Sequence, residues 1–132
     1  MITKKALITG IGGQDGAYLS KLLLEKNYKV FGIRRSKSKN SLWRLKKLKI
    51  KNKIRLININ LNNYKSVLKL IKKGKFDEIY NLASISSVAE SFENPRKYLI
   101  NNTGIVMNIL ESIRLVSNKT KFFQVSSSEM YG

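Results

Sequence analysis

Three short stretches of this 132-residue chain combine residue types and spacings that could do chemistry. The first is Thr9-Gly10-Ile11-Gly12-Gly13-Gln14-Asp15-Gly16, with glycines at 10, 13 and 16. Glycines so spaced between a strand and a helix permit a tight turn, a close backbone approach to a pyrophosphate, and close packing of helix on sheet. The helix start then offers free N–H groups and its positive dipole end to an anion. Gly10, Ile11, Gly12, Gly13, Gln14, Asp15 and Gly16 are therefore expected to cradle a dinucleotide; the plainer alternative is an ordinary glycine turn. The second stretch is Arg34-Arg35, followed by Ser36, Lys37 and Ser38. In a dinucleotide fold the end of the second strand lies beside the adenine ribose, where a basic residue accommodates the 2′-phosphate of NADP. Forked guanidinium donors suit that phosphate, although both arginines could simply belong to a basic surface. The third is Ser126-Ser127-Ser128-Glu129. A hydroxyl there could bond a substrate oxygen and the carboxylate could act as a base; the same run reads equally as a helix cap.

The elements that must position these residues follow from the apolar patterning. Lys4 to Thr9, Lys29 to Arg34, Ile54 to Ile59, Glu78 to Leu82 and Lys121 to Val125 read as five short strands. Between them, Gln14 to Lys26 carries Tyr18, Leu19, Leu22 and Leu23 at helical spacing. Ser41 to Lys49 reads as a short basic helix holding the single Trp43. Tyr64, Val67, Leu68 and Ile71 form one apolar face, with Gly74 as its expected C′ stop. Asn94-Pro95 predicts a helix start, with Asn as N-cap and Pro at N1. Ile105, Ile109, Ile113 and Val116 mark the inner face of the helix that follows. Alternating strands and helices give an α/β fold, a Rossmann-type doubly wound parallel sheet truncated after about five strands, forming one domain over residues 1–132. Ligands of such sheets gather at the carboxyl ends of the strands. That adds Asn60-Leu61 and Leu82 to Ser87 to the candidate positions.

Composition removes several function classes. The chain has no cysteine and no histidine, so it holds no disulfide, no thiolate site and no histidine-based triad or zinc site. It has no eighteen-residue apolar run and too short an apolar stretch after Lys4-Lys5 for a secretory signal. A cytoplasmic protein without membrane contact is expected. The net charge is +18, and lysine supplies twenty of the 26 basic residues. Counterion release would reward nucleic-acid binding, but the lysines are spread, with one denser run from Lys46 to Arg55, and no nucleic-acid motif accompanies them. The expectation is that no nucleic acid is bound, while a phosphate-bearing ligand benefits from the positive field.

Seven stretches carry a family resemblance. They are ALITGIGGQDGAYL from Ala6, GIRRS from Gly32, WRL from Trp43, DEIYNLA from Asp77, VAESFENP from Val88, ILESIR from Ile109 and QVSSSEMYG from Gln124. With these the chain resembles the GDP-mannose 4,6-dehydratase family of the extended short-chain dehydrogenase/reductase superfamily, over essentially its whole length. The resemblance implies a hydride passed from C4 of the mannose ring to NADP+, loss of the C5 proton and of water from C6, and return of the hydride to C6. The product is GDP-4-dehydro-6-deoxy-D-mannose. It implies Glu129 as the C5 base and Ser127, where the family usually has Thr, as the hydroxyl that bonds the C4 oxygen. Gly10 to Asp15 would hold the pyrophosphate and Arg35 to Ser38 the 2′-phosphate. Leu82, Ala83, Ser84, Ile85 and Ser86 would line the nicotinamide ribose. GDP-mannose is the implied partner, and a homo-oligomer the implied full-length form.

Some positions depart from the family pattern. Asn60 stands for an Asp that contacts adenine, Ile85 for a Gln, Ser36 for the second Arg of a pair, Ser87 for a His, and Lys97 for a Tyr. The family's Tyr-x-x-x-Lys lies about twenty residues beyond Glu129, and no such motif occurs in the 132 residues. The expectation is thus an N-terminal, cofactor-binding part that is inactive and poorly soluble by itself. Two other readings stay open: a related sugar-nucleotide epimerase or reductase, and a non-catalytic NADP-binding module.

Overall fold

The apolar run after Lys4 lies at the centre of a sheet. β1 (Lys5–Thr9) is buried from Ala6 to Thr9, as a strand covered on both faces must be. The computed structural model describes residues 3–34, 39–85 and 88–126. After β1, α1 (Gln14–Glu25) returns the chain to β2 (Lys29–Ile33), which pairs in parallel with β1 from Lys5↔Lys29 to Thr9↔Ile33. A 3-10 turn (Lys39–Leu42), α2 (Trp43–Lys47) and a second 3-10 turn (Lys51–Lys53) lead to β3 (Arg55–Ile57) beside β2. The chain then crosses over. α3 (Tyr64–Gly74) delivers β4 (Glu78–Asn81) to the other side of β1, and α4 (Val88–Glu93) and α5 (Pro95–Val116) deliver β5 (Lys121–Gln124) beyond it. The order is β3-β2-β1-β4-β5, all parallel. The expected fold class holds.

Period-two alternation in the strands builds two cores. Ala6, Ile8 and Val30 pack with Ala17 and Leu23 of α1 and Leu45 of α2 on one face. Leu7, Ile33 and Ile79 pack with Val67 and Ile71 of α3 and Ile109 and Ile113 of α5 on the other. The cap expected from sequence at Asn94 holds, and the structure adds a second at Asn63. Asn63 accepts the Ser66 N–H at 3.0 Å, and Asn94 accepts the Lys97 N–H at 3.3 Å with Pro95 in the first turn.

Two local expectations change. The buried face of α1 is Gly16, Ala17, Ser20 and Leu23, whereas Tyr18 and Leu22 are exposed. Small residues let this helix lie close to the sheet, and that requirement overrides the apolar pattern. Gly74 is the last helical residue rather than the C′ stop. Lys75 takes the left-handed conformation at φ 48°, while a side chain at Gly74 would run into the Phe76 ring. On the outer edge, β5 leaves Phe123 and the following Val125 exposed. Among the described residues no helix is long and apolar enough to cross a membrane.

Candidate dinucleotide site

The sheet order reverses direction at β1, which has β2 on one side and β4 on the other. Such a switch point opens a crevice at the carboxyl ends of the strands. The glycine turn fills that place. Gly10 has φ +67°, and a Cβ on it would lie 2.9 Å from the Leu82 backbone carbon and oxygen, so a side chain is barred by conformation and by space. A Cβ on Gly16 would lie 2.7 Å from the Gly10 carbonyl oxygen, so α1 starts directly against the turn. The Gly13 N–H bonds back to Gly10 O at 3.0 Å, and the Ala17 N–H to Gly13 O at 3.1 Å. Among the described residues the N–H groups of Gln14, Asp15 and Gly16 find no acceptor in the chain. They are the open donors that a helix start offers an anion. Ile11 is fully buried against Gly32, so only its backbone can serve the site; its N–H bonds Ile33 O at 3.3 Å and ties the turn to the end of β2.

In front of the turn lies a cavity of about 680 Å³. Eight residues marked from sequence line it: Gly10, Gly13, Asn60, Leu61, Leu82, Ala83, Ser84 and Ile85. Ile11 and Gly12, in the middle of the turn, do not line it. Gln14 and Asp15 are exposed at the helix start. Arg34 is half-buried at the end of β2, with its N–H on Ile57 O at 3.4 Å. Arg35, Ser36, Lys37, Ser38, Ser86, Ser127 and Glu129 lie outside the described residues.

The loop after β4 is held by groups that local sequence did not single out. Thr9 Oγ1 accepts the N–H groups of Leu82 and Ala83 at 3.1 and 2.9 Å and donates to Asn81 Oδ1 at 2.5 Å. Asn81 Nδ2 passes the chain on to Gln124 Oε1 at 2.8 Å, linking β1, β4 and β5. On α5, the Asn102 amide grips the backbone of Ile85 at both ends, accepting its N–H at 2.9 Å and donating to its carbonyl at 3.1 Å. Asn60 Oδ1 accepts the Asn62 N–H at 3.0 Å, an Asx turn at the wall of the cavity. Asn58, Asn62, Asn101 and Ile105 also line the cavity. Asn101 and Ile105 are one turn apart on α5, a spacing visible in sequence, but only the packed fold brings α5 over the glycine turn.

The cradle, the open N–H groups and the cavity fit a dinucleotide: an anion at the helix start with a nucleoside in the crevice. Comparison with known proteins narrows the kind. Residues 7–132 match the family described as GDP-mannose 4,6 dehydratase. The GDP-mannose 4,6-dehydratase of Yersinia enterocolitica is 40% identical over 98% of this chain and 37% of its own length. That of Homo sapiens is 39% identical over 96% of this chain and 36% of its own. Among solved structures, the UDP-Glc/GlcNAc 4-epimerase from Campylobacter jejuni superposes with a TM-score of 0.85 at 28% identity, over 98% of this chain and 39% of that one. The chain thus spans little more than a third of the length of these relatives. Sequence match and fold agree, and the chain belongs to the GDP-mannose 4,6 dehydratase family.

Proposed function

We propose that these residues form the cofactor half of an NADP-dependent GDP-mannose 4,6-dehydratase working in the cytoplasm. The observation that carries this reading is the Gly10–Gly16 turn with its three open N–H groups above a nucleoside-sized crevice, in a chain of that family. Bound NADP+ supplies a hydride acceptor that later returns the hydride, so the reaction has no net redox change. The chain's own part is to bind and orient. The N–H groups of Gln14, Asp15 and Gly16 neutralise the pyrophosphate. Leu82 to Ile85, fixed by Thr9 and Asn102, form the wall along which the nicotinamide ribose lies. Arg34 and Arg35 hold the 2′-phosphate. The Ser127 hydroxyl bonds the sugar C4 oxygen as C4 is oxidised to a ketone. The Glu129 carboxylate takes the C5 proton, made acidic by that ketone, and water departs from C6.

Calorimetric titration of the chain with NADPH and NADH tests the cofactor assignment. NADPH should bind at least about tenfold more tightly, since the 2′-phosphate gains charge-assisted bonds of about 1.5 kcal/mol or more. Equal affinities, or a preference for NADH, would sink it.

A further inference from the structure

Arg44 belongs to none of the three stretches singled out from sequence, yet the fold brings it to the glycine turn. Its Nη1 donates to the Gly12 carbonyl at 3.2 Å. Its guanidinium lies over the Trp43 ring, 4.6 Å from the centroid, and that ring is half exposed. The contact is close: a Cβ on Gly12 would collide with the Ser41 carbonyl oxygen, so the segment leading into α2 is packed on the turn itself. A guanidinium carries five N–H donors in a fixed fork, and Gly12 takes one. Among the described residues no carboxylate pairs with it. Stacking on a ring fixes the plane of the fork and leaves its edge for a ligand.

Its location says which ligand. Ile11, beside Gly12, is bonded to Ile33 at the end of β2, and the adenosine ribose of a dinucleotide lies at that strand end. We infer that Arg44 is a specificity-determining residue that reads the 2′-phosphate of the dinucleotide from the α2 side, with Trp43 as its platform. This rests on the NADP reading and extends it to a residue on a separate element. It also gives Trp43, the single tryptophan of the chain, a second use as an optical reporter of that phosphate.

The test is a titration of the chain with NADPH and with NADH, followed by Trp43 emission, for wild type, Arg44→Lys and Arg44→Met. Lysine can keep the bond to Gly12 while lacking the fork. The expected result is a loss of about tenfold in the preference for NADPH in Arg44→Met. Arg44→Lys should retain part of the preference, and in both variants NADPH affinity should fall more than NADH affinity. An unchanged preference in Arg44→Met overturns the inference alone. Equal weakening of NADPH and NADH in both variants also overturns it, because Arg44 would then be a tie for the turn and nothing more. A wild-type chain that binds neither dinucleotide overturns the NADP reading together with the inference.

Discussion

At the carboxyl ends of β1, β4 and β5, Thr9, Asn81 and Gln124 form a neutral chain of hydrogen bonds, buried at Thr9 and Asn81. At the opposite end of the sheet, Glu78 at the start of β4 accepts the hydroxyls of Tyr28, just before β2, and of Tyr80 at 3.1 and 2.7 Å and faces Lys4, just before β1, at 3.6 Å. The first network positions a ligand crevice without adding a charge to it. The second network is remote from the crevice and pins strands together. One end of the sheet is built for recognition and the other for cohesion, and the two should fail differently. Loss at the carboxyl end should be large, independent of pH and coupled to binding. Loss at the amino end should be smaller, dependent on pH and silent in binding.

The largest effect is expected from Thr9→Val, which keeps the shape and removes the hydroxyl. The half-buried N–H groups of Leu82 and Ala83 and the buried Asn81 Oδ1 would lose their partner. Each unsatisfied group is worth about 1 kcal/mol or more, so about 3 kcal/mol of stability should go, read as a lower urea midpoint. Dinucleotide affinity should fall with it, because the wall after β4 is released. A loss of stability with binding intact would break the comparison at its recognition end.

Next comes Gly10→Ala. The added methyl demands a left-handed alanine and meets the Leu82 backbone at 2.9 Å. Conformation alone disfavours it by about 1–2 kcal/mol, and the backbone contact cannot relax by a side-chain rotation. We expect about 2 kcal/mol lost and dinucleotide binding weakened more than about tenfold. The unfolding midpoint and a NADPH titration check both.

What sequence could and could not disclose divides along the same line. The glycine turn, the five strands and the cap at Asn94-Pro95 depend on local rules of conformation and period, and each stands where those rules put it. Eight of the expected lining residues share one cavity because each lies in a loop that follows a strand, on the side where parallel topology gathers those loops. Asn102, Arg44 and Gln124 do their work through contacts across 17, 32 and 43 positions of chain. No local spacing encodes those. The face of α1 departs from its apolar pattern for a related reason. Tyr18 and Leu22 satisfy an apolar period, but a helix whose first turn would bring a Cβ within 2.7 Å of the Gly10 carbonyl must present glycine, alanine and serine to the sheet.

The smallest expected effect sharpens the comparison most, because it separates the ends by pH. Burial pushes the Glu78 carboxyl up, but hydrogen bonds from Tyr80 and Tyr28 and the charge of Lys4 outweigh it and hold the group below its ordinary 4.5. Its contribution is therefore full above the ordinary carboxylate range and is lost as pH falls through the lowered value. Tyr80 is shifted the other way: burial, then the hydrogen bond to Glu78 and its charge, raise the phenol above its ordinary 10.0. That contribution is full below this ordinary value and is lost as pH rises through the raised one. Glu78→Gln keeps an oxygen for one tyrosine and removes the charge, so about 1 kcal/mol should be lost at neutral pH. The difference between variant and wild type should shrink towards acid, where the wild-type carboxyl is itself protonated. The alkaline fall should persist in weakened form, since burial of Tyr80 remains. Urea midpoints at neutral, acid and alkaline pH read all three, with Thr9→Val alongside, whose deficit should be the same at neutral and acid pH. Parallel curves for Glu78→Gln and wild type down to acid would mean that the amino end is held by packing alone.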